Sequence, residues 1–202
     1  MTDAITFTSL TTPGEVSEIL ELQMANLASA LTPETMAREG FVTVRHDSSV
    51  LVRMNEEAPA IVAKDAGRVV AYALVMPRSY AAQVPILRSL FERLETLSWR
   101  GTALCDNPRW FVMGQICVAA GYRGRGIFDG LYRTMAERYG DRCDFTVTEV
   151  ASRNTRSLKA HARVGFETLE SYTDPDTGEV WNVIALDFAD CLSRGRSDPR
   201  VL

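Results

Sequence analysis

The chain is poor in the residues that most often bind metal ions. Its 202 residues include two histidines and four cysteines, and no two of the cysteines stand in the CxxC spacing typical of zinc ligands. We therefore expect no metal site. Cysteines without a disulfide pattern favour a cytoplasmic location, where thiols stay reduced.

Long apolar runs and an excess of positive charge are missing too. No apolar stretch reaches the ~20 residues that span a bilayer, and the N-terminus lacks the basic and apolar regions of a signal peptide. The net charge is −4 and the pI is about 5.3, which argues against a broad basic face for nucleic acid. We expect neither a membrane nor a nucleic acid as a partner.

The apolar pattern predicts strands that pair as hairpins in the first half of the chain and alternate with helices in the second half. Helix starts are predicted at Thr12, Thr32, Gly126 and Asn154. Predicted strands cover 4–10, 61–64, 68–76, 110–118, 144–150, 166–172 and 180–186. This order predicts a mixed sheet covered on both faces, in one domain over 1–188.

Three segments fit this pattern less well. Residues 41–44 suit a strand or an ordered loop, and 189–202 read as a polar C-terminal tail. Residues 78–109 form a helical excursion whose apolar stripe indicates core packing or, alternatively, a flap over a pocket. The stripe consists of Leu87, Leu90, Phe91, Leu94 and Leu97.

A glycine-rich turn at 118–131, VAAGYRGRGIFDGL, joins a buried strand to an amphipathic helix. Such a turn presents free N–H groups and the positive end of a helix dipole, which suits a diphosphate. No lysine lies near it, which excludes a Walker loop. A dinucleotide-binding GxGxxG is matched by Gly124 and Gly126, but Asp129 stands at the third glycine. An NAD(P)-dependent oxidoreductase therefore stays a minor alternative.

Arg123–Gly126 resembles the R/Q-x-x-G-x-G/A signature of the GNAT superfamily of CoA-dependent N-acyltransferases. Asn154 and the Val164-Gly165-Phe166 step match later motifs of that family, and the resemblance covers roughly 60–187. It implies a mixed α/β fold with a mostly antiparallel sheet of six to seven strands, splayed between the fourth and fifth. It also implies acetyl transfer from acetyl-CoA to a primary amine of a small molecule or peptide, and a homodimer is a family habit.

The resemblance implies a cofactor site as well. Main-chain groups around Ile116 and Val118 would bind the pantetheine arm, and N–H groups of the turn would hold the pyrophosphate. Asn154 would bond the arm, cap its own helix, or do both. The expected cofactor-binding residues are Ile116, Val118, Arg123, Gly124, Arg125, Gly126, Ile127, Phe128 and Asn154.

Two positions depart from the family pattern. Phe128 stands where the signature has a small residue, so its ring must point elsewhere or reshape the site. His161 stands where the family commonly has a tyrosine that protonates the CoA thiolate, a step that an imidazole can perform. These departures leave open a non-catalytic acyl-CoA-binding or regulatory module.

The catalytic residues expected from the sequence are His161 as general acid, Glu149 as general base and Gln115. Glu149 ends a strand beside the site, and Gln115 on the signature strand would orient a water or the acceptor. The structural alternatives are a solvated acid at a strand end and an ordinary polar residue of a strand.

Overall fold

The computed structural model describes residues 4–83 and 88–196 of the chain. Its strands are β1 Thr6–Ser9, β2 Ile61–Asp65, β3 Arg68–Met76, β4 Ser98–Trp99, β5 Thr102–Ala103, β6 Trp110–Val118, β7 Phe145–Ala151, β8 Glu167–Thr173 and β9 Val180–Asp187. Its helices are α1 Pro13–Asn26, α2 Pro33–Glu39, α3 Ser48–Glu57, α4 Arg88–Leu94, α5 Ile127–Tyr139, α6 Thr155–Val164 and α7 Phe188–Arg196.

The strands form one seven-stranded sheet in the order β1-β2-β3-β6-β7-β9-β8, and β4 and β5 form a separate hairpin. Neighbours in the large sheet are antiparallel except β6 and β7, which are parallel. The predicted mixed, mostly antiparallel sheet is confirmed. In the β2–β3 hairpin, Ala66 and Gly67 have φ values of 47° and 84°, as the tight turns of hairpins require.

Helices cover both faces of the sheet, as predicted. Successive strand residues point to opposite faces, so Tyr72 and Leu74 join one apolar core while Ala71 and Ala73 join the other. Helices α1, α3 and α4 pack on the first core, and α5, α6 and α7 contribute to the second. None of the helices within the described residues is long and apolar enough to cross a membrane.

A bulge in β6 opens the sheet. Leu74 pairs with Gln115 while its neighbour Val75 pairs with Met113, so Gly114 is an extra residue on β6. Bulges bend the strand that carries them. Beyond Val112, which pairs with Val147, β6 and β7 no longer pair. The predicted splay between the fourth and fifth strands of the sheet is thereby confirmed.

Two segments that the sequence left uncertain are now defined. Residues 41–44 are extended chain whose single bridge joins Val42 to Leu27. Helix α3 follows at once, and its N-cap Asp47 accepts a hydrogen bond from the N–H of Ser49 at 2.8 Å. The sequence pattern missed α3 because its apolar residues form no clean helical stripe.

The structure also defines helix α4 of the excursion and the segment that follows β9. In α4, Leu90 and Leu94 are each 1% exposed, which confirms core packing, whereas Leu87 lies outside the described residues. The prediction of a polar tail from residue 189 is wrong up to residue 196. Phe188 and Cys191 of α7 are buried in the core that α5 also lines. Residues 197–202 lie outside the described part of the chain.

Candidate active site

The gap between β6 and β7 borders two adjacent spaces. The first, the outer groove, encloses about 920 Å³ between the end of β6, the glycine-rich turn and the first turns of α6. The second, the inner cavity, encloses about 80 Å³ between residues 112–116 of β6 and 148–151 of β7. A long ligand and a small one can therefore approach each other from two sides of one opening.

Backbone groups of β6 face this gap at alternate residues. The carbonyl of Val118 accepts a hydrogen bond from Arg123 Nε at 3.0 Å, whereas the next N–H, of Ala119, bonds back to Val70 on β3 at 2.9 Å. Alternate residues of a strand direct their backbone groups to the same side, so Ile116 faces the gap together with Val118. The carbonyl of Val118 is engaged by Arg123, so the N–H of Val118 and the backbone groups of Ile116 are the ones directed to the gap where the pantetheine arm is expected.

The glycine-rich turn presents a row of unpaired donors. Gly124 and Gly126 have φ values of 74° and 76°, a region that other residues enter only with strain. Within residues 4–83 and 88–196, no group accepts a hydrogen bond from the backbone N–H groups of residues 124–129. The last three of these belong to the first turn of α5, where no intrahelical acceptor exists. This arrangement is suited to an anion.

Basic side chains dominate the walls of the outer groove. Its acidic lining residues are Glu39 and Asp129. Its basic lining residues are Arg38, Arg123, Arg125, Arg133, Arg156, Lys159, Arg163 and Arg194. Because the whole chain carries a net charge of −4, this local excess is a specific feature that would attract a polyanionic ligand.

Arg123 does not offer its charge to the groove. Its guanidinium donates to the carbonyl of Val118, to Glu39 Oε2 at 2.7 Å and to Asn26 Oδ1. The pKa of Glu39 is lowered to about 2, chiefly by its hydrogen bond with Arg123. The side chain of Arg123, one of the expected cofactor-binding residues, is therefore engaged within the protein: it ties the turn to the ends of α1 and α2.

Asn154 caps α6. Its Oδ1 accepts from the N–H of Ser157 at 3.3 Å, and its Nδ2 donates to the carbonyl of Phe41 at 2.9 Å. Both ends of the amide are thus engaged by the protein. Of the two roles expected from the sequence, the structure shows the cap, and the second N–H of Nδ2 keeps the bond to a ligand arm a proposal.

Glu149 lines the inner cavity, and its carboxyl has an unusual environment. Burial raises its pKa from 4.5 to about 7, against a hydrogen bond that Tyr172 Oη donates to Oε2 at 2.7 Å. The negative charge of Asp174 raises this pKa further, and the positive charge of Arg93 lowers it. A carboxyl that titrates near neutrality suits a general base. Because burial is the main cause of the raised pKa, the alternative of a solvated acid at a strand end is wrong.

Tyr172 was missed by sequence reasoning, because nothing in the sequence indicates that a residue of β8 reaches Glu149 across the intervening strand β9. The guanidinium of Arg93 stacks over the face of the Tyr172 ring, 3.9 Å from the ring centroid, and fixes the position of the ring. Arg93 itself binds both oxygens of Glu170 at 3.1 Å.

Gln115 lines the cavity but its amide is engaged on both sides. Tyr72 Oη donates to its Oε1, and its Nε2 donates to the carbonyl of Val44 at 2.8 Å. The sequence analysis expected Gln115 to orient a water or the acceptor. In the structure this side chain fixes the segment at Val44 against β6, which matches the alternative of a structural strand residue.

His161 is 1% exposed, and both of its ring nitrogens are bonded. Nδ1 lies 2.8 Å from the carbonyl of Ser157, which can only accept, so Nδ1 carries the proton. Nε2 then accepts from Tyr132 Oη at 2.8 Å. Burial also lowers the pKa of His161 to about 4. The general-acid role expected for His161 is therefore corrected, since its one proton is held by a backbone carbonyl.

The packing of Phe128 shows how a large residue fits at a position where the family signature has a small one. Its ring packs edge-on against His161 at 5.1 Å and against Tyr132 at 5.2 Å between centroids. The side chain thus turns into the space between α5 and α6, and the backbone N–H groups of the turn stay open.

Replacing Glu149 by glutamine should change how stability depends on pH. Between about pH 4.5 and pH 7 the folded protein binds more protons at Glu149 than the unfolded chain does. The contribution of the protonated Glu149 to the free energy of unfolding is therefore fully present below pH 4.5. It is lost as the pH rises through about 7. We compare the free energy of unfolding of Glu149→Gln with that of the original chain. We expect this difference to be about 2–3 kcal/mol more in favour of the variant at pH 8 than at pH 4.5.

Urea unfolding at the two pH values measures this gain, and the exposed Glu137→Gln on α5 is the matched control. A difference between Glu149→Gln and the original chain that stays constant with pH would show that the Glu149 carboxyl has an ordinary pKa.

Comparisons with known proteins agree with this geometry. The model of the acetyltransferase (GNAT) family matches residues 19–166. No curated protein matches the chain at the significance threshold. Solved structures with 14–15% sequence identity and TM-scores of 0.60 share the fold, and the alignments cover 92% of this chain.

Three of these structures illustrate the likeness. They are the ribosomal-protein-S18-alanine N-acetyltransferase from Escherichia coli, yncA from Salmonella typhimurium with its cofactor acetyl-CoA, and an N-acetyltransferase from Staphylococcus aureus Mu50. The alignments cover 94%, 95% and 99% of those chains. Since the family model matches well over half of the sequence, the chain belongs to the GNAT family of acetyltransferases.

Proposed function

We propose that this protein transfers an acetyl group from acetyl-CoA to a primary amine of a small molecule or peptide. The amine attacks directly while both substrates are bound. The observation that carries the proposal is the pairing of a basic groove that has free N–H donors with a small cavity that holds a near-neutral carboxyl, on two sides of one gap.

The outer groove would bind acetyl-CoA. The N–H groups of residues 124–129 suit its pyrophosphate, and the basic walls suit its remaining phosphate charge. Backbone groups of Ile116 and Val118 would pair with the pantetheine arm as an added strand. An N–H group in this stretch would also polarise the thioester carbonyl.

The inner cavity would receive the amine. An alkylammonium ion is not a nucleophile until it loses a proton, and Glu149 is placed to accept that proton. With a pKa of about 7, the carboxyl is substantially ionised at neutral pH and still basic enough to act. At about 80 Å³ the inner cavity is much the smaller of the two spaces, which suits the amine end of the acceptor.

One observation favours a second function, a non-catalytic acyl-CoA-binding or regulatory module on the same fold. The proton of His161 is committed to the carbonyl of Ser157, so the family's usual proton donor has no equivalent at this position. Binding of acetyl-CoA without turnover of any amine would support this module. No observation of the structure favours the NAD(P)-dependent oxidoreductase, the minor alternative of the sequence, and the family match argues against it.

Further properties of the protein are part of the same proposal. We assign the predicted residues 1–188, extended by α7 to residue 196, to one acetyltransferase domain. We also assign the protein to the cytoplasm and expect it to be a homodimer. The E. coli neighbour is named for acetylating an alanine of a ribosomal protein. This name keeps peptide amines within the proposed acceptor class.

Calorimetry tests the donor site directly. We expect acetyl-CoA to bind with micromolar affinity and Gly126→Trp to abolish binding, because the indole would fill the turn. Gly101→Trp is the matched control, since Gly101 also has a positive φ, of 85°, and lies in the exposed turn between β4 and β5. Binding of NADPH in place of acetyl-CoA would contradict the proposal.

Turnover of an amine panel, followed by thiol release, tests the acceptor site. We expect kcat/KM to rise as the pH passes about 7, because the ionised form of Glu149 is the base. Glu149→Gln should lower kcat/KM by about 10²–10⁴-fold and leave acetyl-CoA binding intact. The control Glu137→Gln should behave as the original chain. An equal loss in both variants would contradict a role for Glu149 in proton transfer.

A further inference from the structure

Five residues border both the outer groove and the inner cavity. They mark the place where an acyl donor in one space and an acceptor in the other must meet. The five are Phe41, Val42, Ile116, Asn154 and Ser157. Any side chain that acts on the bond between the acyl carbon and its leaving group should be found among them.

Two side chains at this boundary are polar, and one of them carries a hydroxyl. Phe41, Val42 and Ile116 are apolar, and the amide of Asn154 is engaged at both ends by Ser157 N–H and the carbonyl of Phe41. The remaining polar atom is Ser157 Oγ, on a residue that is partly exposed in the first turn of α6.

The imidazole of His161 fixes the direction of this hydroxyl. Nδ1 carries the ring proton, because it lies 2.8 Å from the carbonyl of Ser157, and the same N–H lies 3.2 Å from Ser157 Oγ. Toward His161, therefore, Oγ can only accept a hydrogen bond. In the described part of the chain no other group bonds to Oγ, so the proton of Ser157 is free to point toward the boundary.

Tyr132 completes this arrangement on the other side of the ring, because the Nδ1–H tautomer set by the carbonyl of Ser157 leaves Nε2 as an acceptor. Its hydroxyl donates to Nε2 at 2.8 Å from a fully buried position on α5. Nε2 therefore remains the acceptor and Nδ1 the donor. The aromatic rings of Phe128 and Phe166 pack edge-on against the imidazole, with centroids 5.1 and 4.8 Å away, and hold it in this orientation.

We propose that Ser157 Oγ donates a hydrogen bond to the leaving sulfur of the thioester, and that His161 is a positioning residue for this hydroxyl. The inference rests on the proposed function. The carboxylate of Glu149 first takes the proton of the ammonium ion and releases it to solvent. In the transfer, the N–C bond forms, the C–S bond breaks and the nitrogen passes its second proton to the same carboxylate, which returns it to solvent. A serine hydroxyl is a much weaker acid than a thiol, so it keeps its proton and stabilises the thiolate. The thiolate then takes a proton from water.

The thiol of bound CoA reports on this contact without any acceptor. Its titration is followed by the ultraviolet absorbance of the thiolate, with protein plus desulfo-CoA as the blank that removes the signal of the four cysteines. A hydrogen bond to an anion should lower the pKa of the bound thiol below its ordinary value of ~8.5 by about one unit.

Matched variants separate the hydroxyl from the fold. Ser157→Ala should return the thiol pKa to its ordinary value and lower kcat about tenfold, while the affinity for desulfo-CoA is unchanged. Ser157→Thr keeps the hydroxyl and should restore the lowered pKa. His161→Leu should have a smaller effect in the same direction, because the hydroxyl stays but is no longer oriented. The exposed Ser17→Ala on α1 should have none.

The outcomes distinguish this inference from the proposed function. A thiol pKa that is the same in Ser157→Ala and in the original chain, with CoA bound to both, overturns the role of Ser157 and leaves the proposed function standing. Failure of the original chain to bind CoA overturns the proposed function, and the role of Ser157 with it.

Discussion

The site depends on the point at which two parallel strands stop pairing. β6 and β7 share three paired positions, the last at Val112 and Val147, and the bulge at Gly114 then turns β6 aside. Backbone groups that lose a strand partner are costly to bury unless another partner is found. The gap therefore stays open to a ligand on one side and forms a cavity beside Glu149 on the other.

A second constraint is the segment from Glu39 to Val44, which forms a wall of both spaces. Side chains on three separate elements hold it: Arg123 binds Glu39, Asn154 binds the carbonyl of Phe41, and Gln115 binds the carbonyl of Val44. These polar groups stabilise the wall. In the proposed function, the chemistry falls to the N–H groups of the turn, to the Glu149 carboxyl and to the Ser157 hydroxyl.

Local signals in the sequence predicted the fold, because turn glycines, helix caps and strand periodicity act over a few residues. The hairpin at Ala66-Gly67, the glycine-rich turn and the cap at Asn154 are of this kind. The environment of the polar side chains was not predictable in this way. Tyr172 reaches Glu149 from two strands away, and Tyr132 reaches His161 from another helix. The family pattern pointed to His161, but only packing determines where its ring proton is held.

Hydrogen–deuterium exchange with and without acetyl-CoA tests most directly whether the gap and the turn form the binding site. We predict slower exchange at Ile116, Val118 and residues 124–129 when acetyl-CoA is bound, because these N–H groups gain acceptors. Exchange in the β2–β3 hairpin, which lies outside the gap, should stay the same. Protection that appears elsewhere and leaves both stretches unchanged would contradict the account.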